Sequence, residues 1–177
     1  MYIESLQREI AVCPHAEVEG FLAREPGRWH VISIREPAHP EASLKDALRS
    51  RIFVFLDVQV GTEAESPSRA HLESILRFAK QCRNAPLLVH CWAGRSRSTA
   101  VALVIILQSL WDQGVDGVEL VRKALDALLL IRPLAAPNRL VLRLGLEQFL
   151  PPALASTLTK AVLSEPRLQK NFQFLQS

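Results

Sequence analysis

One run of nine residues, His90-Cys91-Trp92-Ala93-Gly94-Arg95-Ser96-Arg97-Ser98, puts a sulfur nucleophile and a guanidinium on one short turn. Cys91 supplies the sulfur, which attacks as the thiolate. Arg97 supplies a planar fork matched to two phosphate oxygens, suited to holding equatorial oxygens as charge spreads during phosphoryl transfer. A short loop entering a helix presents consecutive backbone N–H groups, and the helix dipole adds partial positive charge. Such a nest takes a tetrahedral dianion and stabilises a thiolate for the same reason. The amides of Trp92, Ala93, Gly94, Arg95, Ser96 and Arg97 are the candidate phosphate ligands. Gly94 lets the backbone approach the anion with no side chain in the way. Ser98 can donate a hydrogen bond to the sulfur and so make it a better leaving group.

The turn needs a strand before it and a helix after it. Pro86 to His90 reads as a buried strand, and Ser98 to Leu110 is apolar nearly all round, which predicts a central helix. Upstream, Trp29 to Ile34 is a β-branched strand preceded by a short helical stretch from Ala16 to Ala23. Ile52 to Leu56 is an unbroken apolar run, the pattern of a strand covered on both faces. Leu72, Ile75, Leu76, Ala79 and Cys82 make a one-sided helix over 68–82, with Ser66 or Ser68 as its N-cap. Asp116 opens a helix that groups Glu119, Arg122, Lys123 and Asp126 on one face, and Asn138 caps a further helix from Arg139 to about Phe149. Strands alternating with helices predict an α/β domain with a largely parallel sheet flanked by helices, whose ligands gather at the carboxyl ends of the strands. The catalytic domain is expected over 1–150, and 151–177 as a helical tail packed on it.

With 177 residues, 49% of them apolar, the chain can bury a sizeable single core. A net charge of +3 is too mild to predict nucleic-acid binding. The apolar run Thr99 to Leu110 is about half of a bilayer crossing, and no membrane insertion is expected. Three cysteines and an N-terminus without the pattern of a signal peptide lead to an expectation of reduced thiols in a cytoplasm.

The nine-residue run resembles the signature HCxxGxxRS/T of the protein tyrosine phosphatase superfamily in its compact dual-specificity form. Cys-x5-Arg alone would arise by chance in roughly a quarter of such chains; adding the His, the Gly and the Ser lowers this to roughly a few in 100,000. Farther on, Ile131 to Asn138 resembles the R-P-x-x-x-P-N stretch of the dual-specificity domains, so the resemblance spans about Val31 to Phe149. Ile32 to Pro37, Leu56-Asp57-Val58 and Trp92 together look like a bacterial subgroup of predicted tyrosine phosphatases. The resemblance implies hydrolysis of a phosphomonoester through a phosphocysteine, with neither metal nor other cofactor, on a phosphorylated substrate, a protein first. It also implies that His90 fixes the loop through hydrogen bonds, and that an Asp roughly 30 residues before the Cys is the general acid. Asp57, 34 positions before Cys91, is the one Asp of five suitably placed; there is no Trp-Pro-Asp triplet, and Glu63 and Glu65 are the alternatives.

Other readings stay open at this point. The same loop could serve a lipid, a nucleotide or an RNA 5′ phosphate. A rhodanese-like sulfur transferase and a non-catalytic phosphate-binding module are the alternatives from other classes. Arg95 is either a solvated loop residue or a second cation for a multiply anionic substrate. Trp92 is expected to shield the base of the loop in the core, Cys13 and Cys82 to be packing thiols rather than redox partners of Cys91, and Arg35 to form a surface ion pair.

Overall fold

A computed structural model describes residues 2–3, 7–82 and 85–176. At its centre is β5 (Leu87–Cys91), all five of whose residues are buried. It runs parallel to β2 (Arg8–Pro14) on one side and to β3 (His30–Arg35) on the other, and β4 (Arg49–Val54) pairs in parallel with β3. The two-residue β1 (Tyr2–Ile3) adds antiparallel to β2 and completes the order β1-β2-β5-β3-β4. Register puts Pro14 beside Cys91, Ser33 beside His90 and Arg35 beside Val54, so four parallel strands end along one edge.

The two sheet faces are covered unequally. On one, Val18 and Leu22 of the short α1 (Val18–Leu22) pack with Trp29, Val31 and Leu88. On the other lie α2 (Arg69–Gln81), α3 (Arg97–Asp112), α4 (Gly117–Ile131), α5 (Arg139–Leu146), α6 (Pro152–Leu163) and α7 (Pro166–Gln176). Buried side chains of all six join the larger core, with α3 innermost, as its all-round apolar pattern predicts. Ala155, Leu158, Val162 and Leu168 carry the last two helices into that core. Ser68, rather than Ser66, caps α2: its hydroxyl accepts from His71 N, and His71 Nδ1 accepts from Ser68 N. Asn138 caps α5 by accepting from Val141 N, while Asp116 precedes α4 without a side-chain cap.

Two expectations need correction. The strand predicted at Ile52 to Leu56 begins three residues earlier and is an edge strand, with Ile52 and Val54 on an open face. Phe55 lies beyond its end and turns into the core, so the apolar run records two environments rather than a strand covered on both faces. The strand at Arg8–Pro14 was not predicted, since its polar start hides it. Arg8 is nevertheless buried: Nη2 donates to Cys82 O at 2.8 Å, Nη1 to Ala79 O and Nε to Ala85 O. A cation thereby satisfies carbonyls left over at the end of α2, where the dipole favours it.

Gly145 on α5 lets that helix approach α3; a Cβ there would stand 2.6 and 2.8 Å from the two methyl groups of Val104. Gly145→Ala is expected to cost about 1–3 kcal/mol by overpacking a stiff neighbour. Urea unfolding would read this as a lower midpoint at unchanged slope, partly restored by adding Val104→Ala.

Candidate active site

The loop between β5 and α3 is built by what holds its carbonyls. Trp92 O accepts from His15 N at 3.0 Å, in the turn after β2. Gly94 O accepts from Arg132 Nε at 2.9 Å, and Ala93 O lies 3.5 Å from Arg132 Nη2. Arg95 O accepts from Ala136 N at 2.9 Å, and Ser96 O from Ala100 N and Asn138 N at 3.0 and 3.3 Å. The Thr99 hydroxyl donates to both of the last two carbonyls. Every peptide here is trans, so each carbonyl held outward sends the next residue's N–H the opposite way. The amides of residues 93–97 accordingly converge, and among the described residues none of them donates to a protein acceptor. Gly94 makes the turn possible at φ +63°, and a Cβ on it would meet Pro14 N at 2.5 Å and the Cys13 carbonyl carbon at 2.6 Å.

Cys91, buried at the last position of β5, stands at the root of this ring with the Ser98 hydroxyl 3.1 Å from its sulfur, donating when the sulfur is ionised. Arg97, the first residue of α3, is also buried. Its Nη1 donates to Phe55 O at 2.9 Å, and Nη2 pairs with Glu36 Oε1 at 3.1 Å. Nε lies 3.5 Å from Asp57 Oδ2 but makes no hydrogen bond. Two held edges fix the guanidinium plane and leave the Nε donor free.

Asp57 comes from the segment after β4. Its Oδ1 accepts from the Ser96 hydroxyl and from Asn138 Nδ2, each at 2.7 Å. Asn138 thus caps α5 with its oxygen and holds Asp57 with its nitrogen, which also donates to Val58 O. Glu63 and Glu65 are exposed, and among the described residues their side chains form no hydrogen bond or ion pair with the loop.

The remaining site residues divide. Arg95 turns to Leu134 O at 3.4 Å. Arg35 pairs with Glu41 at 3.1 Å and gathers the carbonyls of Glu36, Pro37 and His39 around itself. Trp92 is 45% exposed and not in the core; His39 stacks on it at 4.2 Å, and His15 lies tilted at 4.9 Å. His90 is buried, yet among the described residues neither ring nitrogen has a hydrogen-bond partner, so the expected hydrogen-bonded support of the loop is not formed. Burial, with His15 adding to it, pushes its imidazole down to about 4. Cys13 and Cys91 pack into cores on opposite sheet faces, and burial pushes the Cys13 thiol up to about 12. Cys82 lies beyond the other end of β5. Neither is placed to resolve an oxidised Cys91. Among the described residues no three His, Cys, Asp or Glu side chains stand together as metal ligands, and no helix is long and apolar enough to cross a membrane.

No family model matches the chain. Over 111 residues, 62% of its length, it is 32% identical to mouse dual specificity protein phosphatase 15 and spans 41% of that protein. The chain covers less than half the length of the curated relatives it matches. The crystal structure of DUSP15 superposes with a TM-score of 0.57 at 24% identity, over 88% of this chain and 91% of that one. Human DUSP28 does so with a TM-score of 0.54 at 21% identity, over all of this chain and 94% of that one. The chain shares the fold of these phosphatases and resembles the dual specificity phosphatases in sequence.

At this site sequence reasoning missed Glu36, Arg132 and the second role of Asn138. Glu36 had no motif to mark it. Arg132 and Asn138 lie in the stretch whose resemblance is noted above, but nothing in it says which side chain reaches which atom.

Two measurements test this geometry. Gly94→Ala must displace backbone of β2 or the loop itself, and the urea midpoint is expected to fall by the equivalent of about 1–3 kcal/mol. The unfolded chain binds a proton at His90 near pH 6.5 that the folded chain refuses until about pH 4. The stability that neutral His90 contributes is therefore present above pH 6.5 and lost as pH falls toward 4. Urea unfolding across that window should show the loss, and His90→Gln should flatten it.

Proposed function

We propose that the chain is a cysteine-dependent phosphomonoesterase acting on phosphotyrosine-type substrates in proteins, with the dual specificity that the names of its relatives carry. One observation bears most of the weight: the carbonyls of residues 92–96 are all held by donors, which leaves the amides of 93–97 without a protein acceptor among the described residues, beside a buried guanidinium whose Nε makes no hydrogen bond. An anion of two charges and tetrahedral shape matches that donor set.

In the first step the Cys91 thiolate attacks phosphorus in line, an S–P bond forms and the P–O bond to the leaving group breaks. The departing oxygen takes a proton from the Asp57 carboxyl, whose Oδ1 is anchored and whose Oδ2 lies toward Arg97. Arg97 and the ring of amides hold the three non-bridging oxygens as charge spreads over them. In the second step water attacks the phosphocysteine and gives its proton to the Asp57 carboxylate. The S–P bond then breaks and releases inorganic phosphate. The sulfur leaves as a thiolate, which the Ser98 hydroxyl stabilises at 3.1 Å. Asp57 is supported as the acid over Glu63 and Glu65 because it alone of the three is bound to the loop.

A panel of phosphotyrosine and phosphoserine peptides, phosphoinositides and nucleotides, with Cys91→Ser as control, tests the reading. Phosphotyrosine peptide is expected to be hydrolysed, and the control to be lower by more than about 1000-fold. Asp57→Asn is expected to lower kcat about 100-fold or more on a poor leaving group and much less on p-nitrophenyl phosphate. No phosphate release from any member overturns the proposal.

A further inference from the structure

The loop's outer carbonyls are gripped by the segment Arg132–Asn138, and that segment is itself gripped from the C-terminal helix. Asn171 on α7 is buried, and its single amide nitrogen donates to Pro133 O at 2.9 Å and to Ala135 O at 2.8 Å. Both protons of the amide are thereby used. Ala135 O and Ala136 N belong to one peptide unit, whose N–H is the donor to Arg95 O. Two residues on, Asn138 N donates to Ser96 O and Asn138 Nδ2 to Asp57. Asn171 therefore acts on the loop through one rigid peptide plane and on the Asp57 carboxylate through Asn138. Leu168, fully buried, and Phe172, packed against the core, set α7 at the height that makes this reach possible. Arg167 ties the same helix to Asp126 of α4 at 2.6 Å.

We propose that Asn171 is a positioning residue for the catalytic loop, and that α7 is a working part of the site rather than a tail laid on the domain. The inference rests on the hydrolase reading above, in that its object is the convergence of amides on a phosphoryl group. Asn171→Asp keeps the side-chain size and removes both donors. Asn171→Gln keeps the donors and displaces them by one methylene. Arg167→Ala disturbs the surface of the same helix without touching the segment.

The readout is inhibition of the full chain by vanadate, with the protection that vanadate gives Cys91 against iodoacetamide as the measurement that needs no turnover. Asn171→Asp is expected to weaken vanadate binding and lower kcat about tenfold, the scale of a small displacement of pre-organised donors, with KM much less affected. Asn171→Gln should fall between it and the unaltered chain, and Arg167→Ala should match the unaltered chain. If Asn171→Asp does not fold, the intermediate value of Asn171→Gln decides. Vanadate binding and kcat unchanged in the folded variants, even with a lowered melting temperature, overturn the positioning role and leave α7 a purely structural helix. A Cys91 that vanadate does not protect in the unaltered chain defeats the hydrolase reading and this inference together.

Discussion

Five successive carbonyls, from Trp92 to Ser96, are drawn away from the centre of their own loop, and everything else at the site depends on that. Converging the amides of residues 93–97 brings like dipole ends together, which no isolated peptide would choose. The opposing force is the set of donors on the outside: His15 N, two nitrogens of Arg132, Ala136 N, Asn138 N and the first turn of α3. Each hydrogen bond contributes about 1 kcal/mol net. Since the peptides are planar, the bonds also fix direction, and direction is what an anion reads. The donors arise from three separate places in the chain, so the loop has its shape only when the whole domain is assembled.

A buried arginine sharpens the point. Burying a guanidinium alone would be prohibitive, and an unpaired buried charge is strongly destabilising. Around Arg97 the fold supplies one carbonyl, from Phe55, and two carboxylates, from Glu36 and Asp57. The Glu36 carboxylate arrives on a loop whose carbonyls are gathered by Arg35, and Asp57 is held by Ser96 and Asn138. Partnership on the outer nitrogens makes the charge tolerable, and the absence of a hydrogen bond at Nε keeps the fork directed. The same contacts that allow the residue to be buried thus also aim it.

The sequence discloses whatever is decided by neighbours in the chain. His90 to Ser98 contain their own cysteine, turn glycine and helix start, so the loop's geometry is written in nine consecutive letters. Periodicity likewise discloses α2 and α3, and the resemblance directs attention to Asp57, whose carboxylate lies against the loop. What it hides are contacts between residues some 40 or 80 positions apart, such as Arg132 with Gly94 and Asn138 with Asp57. No pattern of hydrophobicity encodes which polar atom meets which. Trp92 misleads because a large aromatic residue favours burial, whereas here two histidines cover it at the rim. The run at Ile52 to Leu56 misleads because it straddles the end of an edge strand, and β2 escapes because its first residue is a charge that is buried on helix carbonyls.

Why so short a loop needs a domain of this size follows from the same accounting of donors. A nine-residue loop cannot both point its amides inward and satisfy its own carbonyls, because the two ends of each peptide are bound to opposite directions. Some second backbone must lie outside it, and that backbone also has carbonyls to satisfy. In this chain the second layer is Arg132–Asn138, and the layer behind it is α7, reached through Asn171. Helices that never approach the sulfur are in this way part of the geometry around it, each shell relieving the unsatisfied groups of the one inside.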